Sequence, residues 1–153
     1  MIVGKKHGSV IGTLVERRTR MIRLLHLPVH DSQTLLAAMV ERMSDLPASL
    51  LRSITWDQGT EMARHNEITA ALGVPVYFCD AHAPWQRGSN ENANGLLRQY
   101  FPKGTDLAVH GPRHLLAVED EINRRPRLVL DDHAPADLFM QLLASPSQPL
   151  LRR

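Results

Sequence analysis

The sequence is short of the residues that hold small proteins together covalently. Cys79 is its single cysteine among 153 residues, so neither a disulfide framework nor a cysteine-based zinc site can form within one chain. Aromatic residues amount to 5%, and no uninterrupted apolar stretch reaches the length of a secretory signal core or a membrane span. The opening stretch MIVGKKHGSVIGTLVERRTR is interrupted by charge throughout. These absences place the expected protein in a reducing cytoplasm, neither exported nor inserted in a membrane. Acids are scarce at one end: residues 1 to 30 carry Lys5, Lys6, Arg17, Arg18, Arg20 and Arg23 against Glu16 alone. Such an end attracts polyphosphate, although a solvated strand and turn accounts for it as well.

What is present is the composition of an ordinary globular domain, 43% hydrophobic and 22% charged with a formal net charge of +2. The chain is long enough to bury one core and carries no repeat or low-complexity tract. SVIGTLVE and TRMIRLLHL are β-rich runs joined by a charged turn, which predicts a hairpin. Asp31 or Ser32 then caps a segment in which Leu35, Leu36, Met39, Val40 and Met43 recur at helical spacing, ending near Pro47. SITWD reads as a short strand, TEMARHNEITAAL as a helix stopped by Gly73, and VPVYFC as a strand starting at Val76 because of Pro75. PRHLLAVEDEINRR and APADLFMQLL read as further helices. The order β-β-α-β-α-β-α-α-α predicts an α/β architecture, a mixed sheet with helices packed on it, in which ligands gather at strand ends.

One stretch, PWQRGSNENANGLLRQYFPKG at residues 84 to 104, holds a single acid, Glu91. With Ser89 or Asn90 as cap, Glu91 falls in the first turn of a helix, where the macrodipole favours an anion. The helical wheel puts Ala93, Leu96, Leu97 and Tyr100 on one side and Glu91, Asn94, Gly95 and Arg98 on the other. A solvated face is normally rich in Lys and Glu, whereas Asn and Gly cost helix propensity, so close approach of a phosphate backbone is a candidate reason for them. Asp57, closing a strand, and Glu91 have the chemistry of Mg²⁺ ligation. A turn aspartate and a first-turn helix acid are the plainer readings of the same two residues.

TWDQGTEMARH, DAHAPWQRGSNENANGLLRQYFPKGTDL and INRRP resemble the integrase-like catalytic core of bacterial insertion-sequence transposases of the DDE type, and IGTLVERRTR is similar to the second strand and turn of that group. The resemblance runs from about Ile2 to Phe139. It implies a ribonuclease-H-like fold over residues 1 to 140, with 141 to 153 as a tail. It implies catalytic metal ligands at Asp57 and Glu91, separated by 33 residues, with Mg²⁺ or Mn²⁺ as the ion. It also places Asn94 and Arg98 beside DNA, with Arg87 and Lys103 flanking the helix as phosphate contacts. The implied partners are transposon-end and target DNA at the bacterial nucleoid, and a second copy or an intact transposase. The family's first aspartate stands in a motif similar to GDLIIG, of which this chain keeps MIVG. The expectation is a core that begins just downstream of its first catalytic residue, without the family's helix-turn-helix region, and inactive as written. A DNA-binding or transposase-pairing module, or a gene remnant, is the alternative.

Other residues carry plainer expectations. Glu61 is a first-turn acid or a support for Asp57, Asp80 and His82 are loop hydrogen-bonding groups, and Trp85 packs under its loop rather than stacking on a base. His110 and His114 straddle a Gly-Pro pair and are not ligands. Glu119, Asp120 and Glu121 should lace Arg124, Arg125 and Arg127 into ion pairs on a helix surface.

Overall fold

In the computed structural model, residues 1 to 144 are described. Strands β1 (Ile2–Val3), β2 (Val10–Val15) and β3 (Ile22–Leu27) form an antiparallel sheet in that order. Helix α1 (Ser32–Met43) follows, then β4 (Ile54–Trp56), α2 (His65–Leu72) and β5 (Val76–Phe78). β4 and β5 pair in parallel, Ile54 opposite Val76. Three helices complete the described chain: α3 (Gly88–Leu97), α4 (Pro112–Arg124) and α5 (Pro135–Ala144). The mixed α/β architecture expected from the sequence is therefore present, with β1 as a two-residue strand ahead of the hairpin.

The strands bury both faces. Val10, Leu25 and Leu27 pack with Leu35 and Met39 of α1 and with Ile54 and Trp56 of β4 in one cluster. Ile2, Ile11, Ile22 and Leu24 pack with Ala93 and Leu97 of α3 and Val118 and Ile122 of α4 in the other. Successive side chains of a strand point to opposite faces, so the hairpin supplies both clusters at once. Gly12 sits in this hairpin opposite Leu25, and a Cβ on it would lie 2.8 Å from the Leu25 Cβ. Leu25 is fully buried and cannot retreat. Gly12→Ala is therefore expected to destabilise the fold by about 1–3 kcal/mol through overpacking, measured as a lowered urea midpoint at unchanged m-value.

Local chemistry sets the element ends. The Asp31 carboxylate accepts from the Thr34 N–H at 2.7 Å and caps α1, and Gly73 takes a left-handed conformation at the end of α2, φ 70°. Glu16, the one acid of the basic end, accepts from the N–H groups of Arg18 and Thr19 and from the Thr19 hydroxyl, closing the β2–β3 turn. The helix expected from Thr60 is divided: a 3-10 turn at Thr60–Met62 precedes α2. There His65 Nδ1 donates to the Met62 carbonyl at 3.0 Å, a bond that replaces continuation of the helical ladder. α5 runs through residue 140 and buries Leu142, so the expected tail begins inside a helix, and residues 145 to 153 lie outside the described part.

α4 seals the sheet. β3 is an edge strand, and its outward backbone groups are taken by two side chains of α4. Asn123 accepts from the Ile22 N–H at 2.9 Å and donates to the Ile22 carbonyl at 2.8 Å. Glu119 accepts from the Leu24 N–H at 2.8 Å and from Arg42 at 2.6 Å. An edge occupied in this way cannot template pairing with another chain. The outer side of α4 carries two of the expected ion pairs, Asp120–Arg124 and Glu121–Arg125, whereas Glu119 turns inward to Arg42 and Arg127 donates to the Ile122 carbonyl.

Candidate functional site

Asp57 follows β4, and Cys79 follows the parallel strand β5, so both emerge at the carboxyl ends of the pair. The Cys79 N–H donates to the Trp56 carbonyl at 2.9 Å, which fixes the two ends side by side. Burial, then the negative charge of Asp57, pushes the Cys79 thiol above its ordinary range. Asp57 itself is open, with 57% of its side-chain surface exposed, and its Oδ1 lies 3.8 Å from Nε of Arg87. Arg87 ends the 3-10 turn Pro84–Arg87 and leads straight into α3. The structure thus brings Asp57 to the start of the helix that carries Glu91.

Glu91 stands in the first turn of α3, exposed, and among the described residues it makes no ion pair or side-chain hydrogen bond. The cap expected at Ser89 or Asn90 is not used. α3 starts at Gly88 with no capping side chain, and the Ser89 hydroxyl accepts from Arg20 of the β2–β3 turn instead. Pro84 starts the preceding turn, so the helix is entered from an already coiled backbone.

The two neighbours of Glu91 on the polar side of the wheel are engaged by the protein itself. Asn94 Oδ1 accepts from the Thr13 hydroxyl at 3.0 Å, tying α3 to β2. Arg98 donates to the carbonyls of Phe101 at 3.2 Å and Val3 at 3.4 Å. Asn94 therefore has an internal reason that the wheel did not reveal. Gly95 has none: it is exposed, and a Cβ on it would meet nothing within 4 Å. Lys103 is exposed in the turn after α3, also without an ion pair among the described residues.

The neighbourhood of β1 faces the same end. The α-amino group of Met1 is pushed below its ordinary value by burial, opposed by the charges of Asp57 and Glu61 and reinforced by Arg98. Arg98 reaches this strand directly, through the Val3 carbonyl. Glu61 accepts from Trp56 Nε1 at 3.3 Å and lies 3.9 Å from His30 Nε2. It buttresses β4 and is 11% exposed. Among the described residues no group of three His, Cys, Asp or Glu side chains is placed to hold a metal ion. The carboxylates of Asp57 and Glu91 are of the hard oxygen type that suits Mg²⁺ or Mn²⁺.

Trp85 departs from the packing expected of it. It is 76% exposed, two residues before Arg87, because Pro84 starts the turn with the indole directed outward. Asp80 does bond within its loop, its N–H donating to Gln86 at 2.9 Å. His110 and His114 stack at 4.8 Å with Phe101 edge-on to both. Burial, then His114, pushes His110 below its ordinary value of 6.5, with Asp106 opposing. The unfolded chain consequently binds this proton first. The stability contributed is complete above about pH 6.5 and declines as pH falls below it. Melting temperature recorded from pH 8 to pH 5 should fall in that window, and His110→Phe should flatten the fall.

Comparison with known proteins agrees with this picture. The model of the integrase core domain matches residues 1–84. A transposase for insertion sequence element IS1086 from Cupriavidus metallidurans is 48% identical over 150 residues, covering 98% of this chain and 44% of that protein. Transposase InsI of element IS30C from Escherichia coli K12 is 46% identical over 138 residues, 90% of this chain and 36% of that protein. The chain thus spans less than half the length of these relatives. Among solved structures, the catalytic core domain of BIV integrase superposes with a TM-score of 0.69 at 13% identity, covering 95% of this chain and 94% of that one. A chain of the simian T-cell lymphotropic virus intasome gives 0.65 at 20% identity, covering 94% and 51%. At such identities the likeness concerns the fold, which is the ribonuclease-H-like fold of retroviral integrase cores. The family model matches more than half of the chain and the two transposases are nearly half identical to it over most of its length, so this chain belongs to the integrase core domain family.

Proposed function

We propose that this chain is the catalytic-core portion of a DNA transposase, in which Asp57 and Glu91 supply carboxylate oxygens to a divalent ion, Mg²⁺ or Mn²⁺, held against DNA phosphate. The observation that carries this reading is Asp57, an open carboxylate at the end of β4 beside the start of the helix bearing the unpaired Glu91. Such an ion, when bound, supplies charge stabilisation for in-line displacement at phosphorus. The reaction proposed for the whole protein of which this chain is the core is hydrolysis of a phosphodiester at an element end, freeing a 3′-hydroxyl that then attacks target DNA at the nucleoid.

The chain's own residues bind and orient the nucleic acid. Lys103 and Arg87 contact phosphates on either side of α3, Arg87 leaving Asp57 when the carboxylate takes up the ion. Arg98, and Asn94 through its amide nitrogen, line the same helix. Trp85, outward beside Arg87, offers a face on which an unpaired base can stack. Gly95 lets a phosphate backbone approach the helix.

Two substitutions test the DNA surface. Lys103→Ala should weaken duplex binding without regard to sequence and reduce the slope of log affinity against log salt by about 1. Gly95→Ala should raise stability by about 0.5–1 kcal/mol, since its methyl meets open space and Ala is the better helix former, while lowering duplex affinity. Fluorescence anisotropy from 50 to 300 mM salt measures both, and an affinity indifferent to salt sinks the DNA assignment. A second reading is a non-enzymatic module that binds DNA or pairs with an intact transposase, since the partly exposed Arg87 and the exposed Lys103 beside α3 serve binding alone equally well. That reading prevails if binding is salt-dependent yet a chain supplied with a first-strand aspartate never nicks DNA.

A further inference from the structure

The turn between β1 and β2 is stitched to the loop that follows α3. Lys5 N–H donates to the Thr105 carbonyl at 2.9 Å, and the buried Ser9 hydroxyl accepts from the Leu107 N–H at 2.9 Å. A Cβ on Gly4 would press on the Ser9 hydroxyl and lie 2.9 Å from the Thr105 carbonyl oxygen, so glycine is what lets the two segments meet. The stitching gathers Lys5 and Lys6 of one turn with Lys103 of the other, all three exposed. None of their side chains has an ion pair or hydrogen-bond partner among the described residues. Asp106, the one acid in either segment, caps the 3-10 turn Leu107–Val109 by accepting from the Ala108 N–H at 2.9 Å.

Two unfavourable terms accompany this arrangement. Like charges gathered on adjacent turns repel, and Lys6 stands in the left-handed region, φ 54°, where glycine or asparagine is more at ease than lysine. Elsewhere the protein neutralises its cations: on α4, Arg124 and Arg125 each pair with an acid one helical turn earlier. A polyanion seated on the two turns offsets both terms. α3 links this place to the acids, because Glu91 stands in its first turn while Arg98, at its end, donates to the Val3 carbonyl beside Gly4. The helix rises about 9 Å from Glu91 to Leu97, the length of about three nucleotides.

We propose that Lys5 and Lys6 of the β1–β2 turn, together with Lys103, form a phosphate-binding platform that grips the DNA lying along α3 at the end of that helix remote from Glu91. The platform rests on the DNA reading above and adds a second attachment, contributed by a turn outside the neighbourhood of the acids. Phosphate contacts set the register of a protein on its duplex, and two attachments on one backbone fix which phosphate stands at Asp57 and Glu91, where a duplex held at one point would slide past them.

The test is fluorescence anisotropy of a labelled duplex with the full chain across 50 to 300 mM salt. Lys5→Ala/Lys6→Ala should bind at least about tenfold more weakly at 100 mM salt and reduce the slope of log affinity against log salt by about 2, and adding Lys103→Ala should bring the reduction to about 3, because each lysine displaces its own counterion. Arg124→Ala/Arg125→Ala removes the same charge from a surface already paired and should leave the slope unchanged. Lys6→Asn separates binding from folding: it suits the left-handed backbone, so it should melt no lower than the parent while the slope falls by about 1. An unchanged slope in the Lys5/Lys6 double variant, with the parent's still steep, overturns the platform and leaves the DNA assignment standing. A parent affinity indifferent to salt overturns both. An equal fall in the α4 control overturns the platform too, since net charge alone then accounts for the effect, and so does a stoichiometry of two duplexes per chain that drops to one in the double variant.

Discussion

In a chain extended by an aspartate ahead of Met1, Asp57→Asn is expected to lower Mn²⁺-dependent nicking of an element-end duplex by at least about 100-fold, with Glu91→Gln giving a loss of the same order. The reason is geometric as much as electrostatic. Removing one carboxylate from a small ligand set displaces the ion, and a displacement on the order of 1 Å at the reacting atoms costs about that factor. Asp57 is largely exposed and Glu91 has no partner among the described residues, so the changes remove only the loose Asp57–Arg87 pair and the hydrogen bond from the Cys79 thiol. Unchanged melting temperatures should accompany the lost activity. The double variant should lose little more than either single one, because the two act as a unit. Nicking that persists in both single variants sinks the site assignment.

Asn123→Ala is expected to destabilise the protein by about 2–4 kcal/mol, measured by urea unfolding. Asn123 is 1% exposed and serves both backbone groups of Ile22, itself fully buried. Its loss strands a donor and an acceptor on the edge of the sheet, and each unsatisfied buried group costs about 1–3 kcal/mol. Asn123→Asp separates the parts of the effect: it can accept from the Ile22 N–H but offers no donor to the carbonyl when ionised. Its destabilisation should ease as pH falls far enough to protonate the carboxyl. A loss under 1 kcal/mol in Asn123→Ala would show that water repairs the edge and that α4 is not its seal.

Much of the fold was legible because local signals and tertiary demands coincide along most of the chain. Gly73 stops α2 where a left-handed residue is needed, Asp31 caps α1, and Pro75 confines β5 to Val76–Phe78. The strand-end position of Asp57 and the helical position of Glu91 were legible for the same reason: each depends on the ends of its own element. The tie of Asn94 to β2 was not legible, because a wheel sorts residues by direction and cannot say which directions a neighbouring strand fills. Thr13, 81 positions away in sequence, decides that. Trp85 was misjudged for the opposite reason. An aromatic beside a proline usually finds a core, but the turn begun by Pro84 directs it to solvent.

By itself, the sequence determined the order of elements, their apolar faces, the basic end and the acids that close β4 and open α3, since all of these follow from periodicity, caps and residue chemistry within a few turns of chain. Only the tertiary structure decided that Arg87 meets Asp57 and that Asn123 and Glu119 seal β3. Those features depend on which strands become neighbours. That is a property of long-range packing, which no local window of residues contains.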